Sequence, residues 1–345
     1  MNFLSFIPCR LGEPITALDI SDGQIAFGSI IGYYGVYNVE LDELRYGRDC
    51  LSELVRSAKI FKKHLYLTNG DENIAVVSLD NLDQISLFDY PELRYKHEVC
   101  SNYMSYFSIS PERNSIRSLL VFAPTTEVNR QILERPNEVK ICTYFSVFGE
   151  GGMIEQQNLT QNIKLKNYSV VMDFQNTRLL YLFRRVPGPM STDDEPGPFV
   201  VCLHDILTNE VLKLTDVPEN VKLLRLYGNG FVFVLKNKQL AFYDAALRKI
   251  DILFTTAVTI VTLAVDHENG RVAMVDKASN LTVFNLQNNL VTVNQVSLKS
   301  VASLPPDLRN YNNFEMEYPY FSVLRDRLFA FTTDFGIYAV KFDAF

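Results

Sequence analysis

Residues able to do acid–base or metal chemistry are few in this chain. It has four histidines: His64, His97, His204 and His267. None is close to another in sequence, and no His-x-x-x-His or His-x-Glu pair occurs, so the spacing supports no zinc site. Five cysteines (Cys9, Cys50, Cys100, Cys142 and Cys202) form neither an even set nor a C-x-x-C pair, which reads as reduced, buried thiols. No Gly-x-Ser-x-Gly marks a nucleophile, and no glycine pattern of the phosphate-cradling kinds is present. Gly149-Glu-Gly-Gly152 reads as a turn, and the Asp and Glu residues are too scattered for a calcium loop. The expectation is no catalytic residue, no cofactor and no metal.

What remains is binding chemistry. Two short basic clusters, Lys59-Ile-Phe-Lys-Lys-His64 and Leu182-Phe-Arg184-Arg185, could touch a phosphate or an acidic peptide. The net charge of −7 makes solvated edges the expected role and nucleic acid an unlikely ligand. Three segments are longer than ordinary connections: 123–138, 187–198 and 299–313. They carry the candidate partner-binding residues Arg130, Arg135, Asp193, Asp194, Glu195, Arg309 and Tyr311. Charged and aromatic side chains on loops held by a rigid scaffold are well placed to meet another protein. The second segment is Pro-rich and is expected to stay extended.

The elements that carry these residues are strands. The chain has 345 residues, 47% of them hydrophobic and 21% charged, ample for a core and unlike a disordered chain. Short runs of Val, Ile, Leu, Phe and Tyr alternate with Gly, Asn and Asp turns, and helical periodicity is nearly absent. One unit recurs: strand, tight turn, strand, turn, strand. It appears at Pro14–Val39, Val221–Ala245 and Val261–Leu286. Its third strand reads apolar, any, apolar, bulky, small polar, apolar. Seven copies of this signature are found at Tyr34–Val39, Ile74–Leu79, Val139–Tyr144, Val201–Ile206, Leu240–Ala245, Leu281–Leu286 and Ile337–Phe342.

These copies resemble the WD-repeat β-propeller family, whose third strand ends in Trp-Asp. Tyr37-Asn38, His204-Asp205, Tyr243-Asp244 and Phe284-Asn285 stand where that dipeptide would be, although the chain has no Trp and lacks the Gly-His pair. The resemblance implies an all-β fold in one domain over 1–345. Seven four-stranded antiparallel blades would cover approximately 14–50, 51–98, 99–160, 161–217, 218–255, 256–298 and 313–345, with six blades as the alternative. The last blade offers only three strands, so residues 1–10 are expected to supply its fourth and to hide two open sheet edges. That gives the apolar start a structural role in place of a targeting one.

Proteins of this kind usually act as adaptors. The resemblance therefore implies a non-enzymatic protein–protein interaction scaffold in a larger intracellular complex, in cytosol or nucleus and not secreted. All three long loops would project from one face of the propeller. The alternatives are a hydrolase-type propeller with a site in its central channel, or a binder of RNA or acidic ligands. No apolar run is long enough to span a membrane.

Overall fold

The computed structural model describes residues 2–8, 14–47, 54–69, 73–89, 102–110, 114–123, 141–149, 152–161, 172–175, 177–184, 199–208, 210–217, 221, 223–286, 292–297, 321–333 and 336–342. Within them lie 28 strands in seven four-stranded antiparallel sheets, a propeller-like repeat of one unit.

Strand β1 spans Asn2–Pro8. Sheet one holds β2 (Ile15–Ser21), β3 (Gln24–Ser29), β4 (Tyr34–Asn38) and β5 (Glu43–Tyr46). Sheet two holds β6 (Val55–Phe61), β7 (His64–Asn69), β8 (Asn73–Ser78) and β9 (Ile85–Asp89). Sheet three holds β10 (Asn102–Ser110), β11 (Ser115–Ala123), β12 (Ile141–Gly149) and β13 (Gly152–Gln161). Sheet four holds β14 (Met172–Gln175), β15 (Arg178–Arg184), β16 (Phe199–Asp205) and β17 (Glu210–Val217). Sheet five holds β18 (Leu224–Tyr227), β19 (Gly230–Leu235), β20 (Gln239–Asp244) and β21 (Lys249–Thr255). Sheet six holds β22 (Ile260–Asp266), β23 (Arg271–Asp276), β24 (Asn280–Asn285) and β25 (Thr292–Ser297). Sheet seven takes β26 (Ser322–Arg325), β27 (Leu328–Thr333) and β28 (Gly336–Lys341), and its fourth, outer strand is β1. β1 runs antiparallel to β28, from Asn2 opposite Lys341 to Pro8 opposite Gly336. The strand expected from residues 1–10 is therefore present and paired with the last one.

Where their side chains are described, the second and third strands are mostly buried on both faces, which is why they read as nearly continuous apolar runs. β19 (Gly-Phe-Val-Phe-Val-Leu) is buried throughout. The core lies between sheets, as a series of apolar layers. Val36, Tyr34 and Ala26 of sheet one meet Leu65, Leu67 and Val77 of sheet two. Phe231 and Tyr243 of sheet five meet Leu180, Leu182 and Val201 of sheet four. Ile20, Ile25 and Phe27 meet Leu328, Ala330 and Ile337, so the first sheet packs on the seventh. Polar atoms stitch the same seams: Thr16 Oγ1 donates to Val55 O at 2.6 Å, and Tyr34 OH to Leu82 O at 2.6 Å.

Strand register explains the third-strand signature. In six sheets its bulky residue lies opposite the second residue of the preceding strand: Tyr37 opposite Ile25, Val77 opposite Leu65, His204 opposite Leu179, Tyr243 opposite Phe231, Phe284 opposite Val272 and Val340 opposite Phe329. In sheet three the residue at that place, opposite Ile116, is Phe148. The copy read at Val139–Tyr144 is thus displaced by six residues. β11 and β12 are nine residues long, the full pattern lies at the start of β12, and the end that carries the repeat, Phe145–Gly149, breaks it with Gly149 and Glu150, so only pairing shows the right place. Each residue at these positions is buried. Tyr243 stacks on Phe231 at 5.0 Å between centroids and donates to Leu214 O of sheet four at 2.7 Å. His204 is fully buried, in line with a packing role.

The following Asp or Asn has a separate function. Asn38 Oδ1 accepts from the N–H groups of Glu40 and Leu41, Asp205 Oδ1 from those of Leu207 and Thr208, and Asp244 Oδ1 from those of Ala246 and Leu247. In these three sheets the side chain closes the turn to the fourth strand, a role suited to a short acceptor.

Candidate functional site

One cavity, of about 380 Å³, is lined by residues from β2, β6, β10, β14, β18, β22 and β26, the innermost strand of every sheet. β2 contacts β6, β6 contacts β10, β10 contacts β14, β14 contacts β18, β18 contacts β22, β22 contacts β26, and β26 contacts β2.

Hairpin register supplies a ruler for the lining. Counting from the last pair before each first turn, equivalent positions are occupied by Asp19, Lys59, Ser108, Asp173, Arg225, Ala264 and Val323. Two residues nearer the turn lie Gln175, Asp266 and Arg325, and His267 and Glu268 follow in the turn after β22. The cavity is therefore at the end of the sheets that carries the first turns. Connections between second and third strands leave from the opposite end.

The same polar device is built twice. Asp19 is buried (1% exposed), and its Oδ1 is 2.7 Å from Lys59 Nζ. Its Oδ2 accepts from Ile60 N at 2.7 Å. Three sheets on, Asp173 Oδ2 accepts from Leu226 N at 2.7 Å, beside Arg225. In each case a carboxylate on one inner strand takes the backbone N–H just after a basic residue on the next. A short antiparallel hairpin leaves that N–H unpaired on its inner edge, and a buried donor without an acceptor would cost free energy.

The mouth holds the remaining charges. Asp266 Oδ1 accepts from Glu268 N and Asn269 N, and its Oδ2 from Asn269 Nδ2. Arg225 Nη1 donates to Leu224 O at 2.8 Å. Arg325 is held loosely, with Nη2 3.6 Å from Glu268 Oε1 and Nη1 3.5 Å from Ile20 O. Arg178, at the start of β15, reaches Gly228 O at 3.4 Å. His267 lines the cavity and is exposed, with partial desolvation by the residues around it. That desolvation lowers its pKa below the ordinary 6.5; Asp173 and Asp266 pull it up, while Lys59 and Arg178 push it down. Among the described residues no group of three or more His, Cys, Asp or Glu side chains is arranged to hold a metal.

The candidate residues Arg130, Arg135, Asp193, Asp194, Glu195, Arg309 and Tyr311 lie outside the described residues, as do segments 124–138, 187–198 and 299–313. The basic cluster at 59–64 is split by its hairpin. Lys59 faces the cavity, Lys62 lies over the Phe61 ring at 5.7 Å, and Lys63 is exposed, 3.8 Å from Asp80. Sequence reasoning missed Asp19, Asp173, Arg225, Asp266 and Arg325. A signal was there: a charge between two apolar residues in a first strand, as in Leu18-Asp19-Ile20 and Leu224-Arg225-Leu226. Among the described residues no helix is long and apolar enough to cross a membrane.

The sequence matches no protein-family profile and no curated protein. In fold it is similar to the computationally designed Ika8 protein, known from a crystal structure, with a TM-score of 0.57 and 12% identity over 99% of this chain and 100% of that one. In all, 1448 solved chains match, so the architecture is widely shared and by itself selects no activity.

Proposed function

We propose that the chain is a seven-bladed β-propeller of the WD-repeat type, with β1 completing and closing the last blade. We further propose that it serves as a non-enzymatic binding platform for other proteins in a larger complex of the cytoplasm. The observation that carries the platform reading is apolar exposure on the outer parts of sheets four and five. Val211 and Leu212 on β17 are 52% and 57% exposed, Ile252 on β21 is 49% exposed, and Leu247, in the turn before β21, is 70% exposed. Outer strands are open edges with unpaired backbone groups, and apolar side chains on them favour a protein partner over water.

The cavity favours binding over catalysis. General-base or metal-assisted hydrolysis needs carboxylates free to take a proton or a cation. Of the four carboxylates that line it, Asp19 and Asp266 are instead occupied by backbone N–H groups, an ammonium and an amide, Asp173 gives one oxygen to Leu226 N, and Glu268 stands exposed at the edge.

The test is affinity capture of the full chain from its native source, beside a Val211→Lys/Leu212→Glu variant whose circular dichroism matches the wild type. The platform reading expects protein recovered in stoichiometric amount with the wild type and lost with the variant. Capture without any partner, or with the same partners in both, would count against it.

A further inference from the structure

Of the nine large apolar side chains that stand exposed among the described residues, five belong to sheets four and five: Leu207, Val211, Leu212, Leu247 and Ile252. Pairing register shows which of them share a seam. Leu212 lies opposite Leu203, and Ile252 opposite Ala241. Leu203 and Ala241 belong to the apolar layer between sheets four and five. Directly paired residues point to the same face of a sheet, so Leu212 and Ile252 both face that seam, from its two outer lips. Leu214 and Ile250 lie half-buried in the same layer. The lips differ in charge. On the sheet-four side Glu210 is exposed at the start of β17, two residues from Leu212 and on its face. On the sheet-five side Arg248 is exposed just before β21, at the same end of its sheet. At the other end Asp216 is exposed near the close of β17, and Lys238 is exposed in the turn beside the close of β21, where its carbonyl accepts from Thr256 N.

We infer that this outer seam is an interface between two copies of the chain, joined about a two-fold axis that runs along it. Such an axis lays sheet five of one copy over sheet four of the other and keeps the ends of the sheets in step. Leu212 then meets Ile252 of the second copy, Glu210 meets its Arg248, and Asp216 meets its Lys238, each contact made twice. A partner for this surface must offer cations opposite sheet four, anions opposite sheet five and apolar groups between them. The chain's own seam, turned over, has that pattern. An apolar centre with complementary charges at its rim is the anatomy of a specific interface. The contact is made by side chains. β17 and β21 are each interrupted by an irregularity, at Leu214 and at Leu253, which disfavours extending the ladder from edge to edge. The inference rests on the platform reading in using the same apolar exposure, and it names a second copy as what covers it.

The experiment is analytical ultracentrifugation of the full-length protein over about 1 to 100 μM. A dimer that dissociates on dilution is expected. Leu212→Glu and Ile252→Glu should each weaken association about tenfold or more. Glu210→Arg and Arg248→Glu should each weaken it as well, and the double variant, which restores opposite charges across the axis, should recover it. Leu87→Glu, at an exposed leucine on β9 of sheet two, should leave it unchanged. Circular dichroism checks the folding of every variant, and if a leucine or isoleucine variant fails to fold, the charge exchange decides. A monomer throughout the range, assemblies larger than a dimer, equal loss with Leu87→Glu, or no recovery in the double variant would overturn the inference. A dimer that captures no other protein from the native source counts against the platform and leaves this inference standing. A monomer whose captured protein is lost with Val211→Lys/Leu212→Glu does the reverse.

Discussion

Replacing Asp19 by alanine tests the inner-strand clasp directly. The substitution removes two charge-assisted contacts at 2.7 Å, from Lys59 Nζ and from Ile60 N. Hydrogen bonds to charged groups contribute about 1.5–3 kcal/mol each. Breaking a buried pair from one side costs about 3–5 kcal/mol. Lys59 is 24% exposed and can turn towards water, which lowers the second figure. The Ile60 N–H has no such escape, because Ile60 is buried. A loss of about 3 kcal/mol follows. With an unfolding entropy of about 2.1 cal/mol/K per residue, the 345-residue chain should melt about 4 °C lower. Equilibrium urea unfolding reads the free energy, and scanning calorimetry reads Tm. Asp19→Asn keeps an acceptor for Ile60 N and should lose less. Asp173→Ala, which among the described residues removes the contact from the Leu226 N–H, should also lose less. A change under about 0.5 kcal/mol for Asp19→Ala, the level of an ordinary surface substitution, would refute the clasp, and so would a larger loss in Asp173→Ala.

Three other perturbations bear on different parts of the fold. Removing residues 1–8 strips β28 of its outer partner and should lower Tm by several degrees and promote self-association, read by calorimetry and light scattering; unchanged melting would deny β1 a stabilising role. Gly230→Ala would place a Cβ 1.8 Å from the backbone oxygen of Tyr243, which cannot step aside. The variant should be destabilised by more than about 3 kcal/mol or fail to fold, as judged by soluble yield and urea unfolding. His267 has a folded-state pKa below its unfolded 6.5, so the unfolded chain takes its proton first. The histidine's contribution to stability is complete above pH 6.5 and is lost as pH falls towards the folded value, and His267→Gln should show a smaller drop in urea midpoint between pH 7 and 5 than the wild type.

The recurrence of strand, turn, strand, turn, strand was legible in the amino acids themselves. Apolar alternation and Asx turns are local devices. Asn38, Asp205 and Asp244 bond to N–H groups two and three residues ahead, so their signal survives in any one copy. The absence of Trp did not hide it, because Tyr37, His204 and Tyr243 fill the same buried place. Sheet three shows the limit: the motif is complete six residues too early in its long third strand, and pairing with Ile116 selected Phe148. The cavity was legible only in fragments. Asp19 and Lys59 are 40 residues apart, and Asp173 and Leu226 are 53 apart. No local pattern links such residues, since inner strands of successive sheets touch only when whole sheets pack side by side. Sequence determined the repeating unit, because each hairpin is built by neighbours along the chain. Tertiary structure decided which charges meet at the inner strands, because that depends on contacts between sheets.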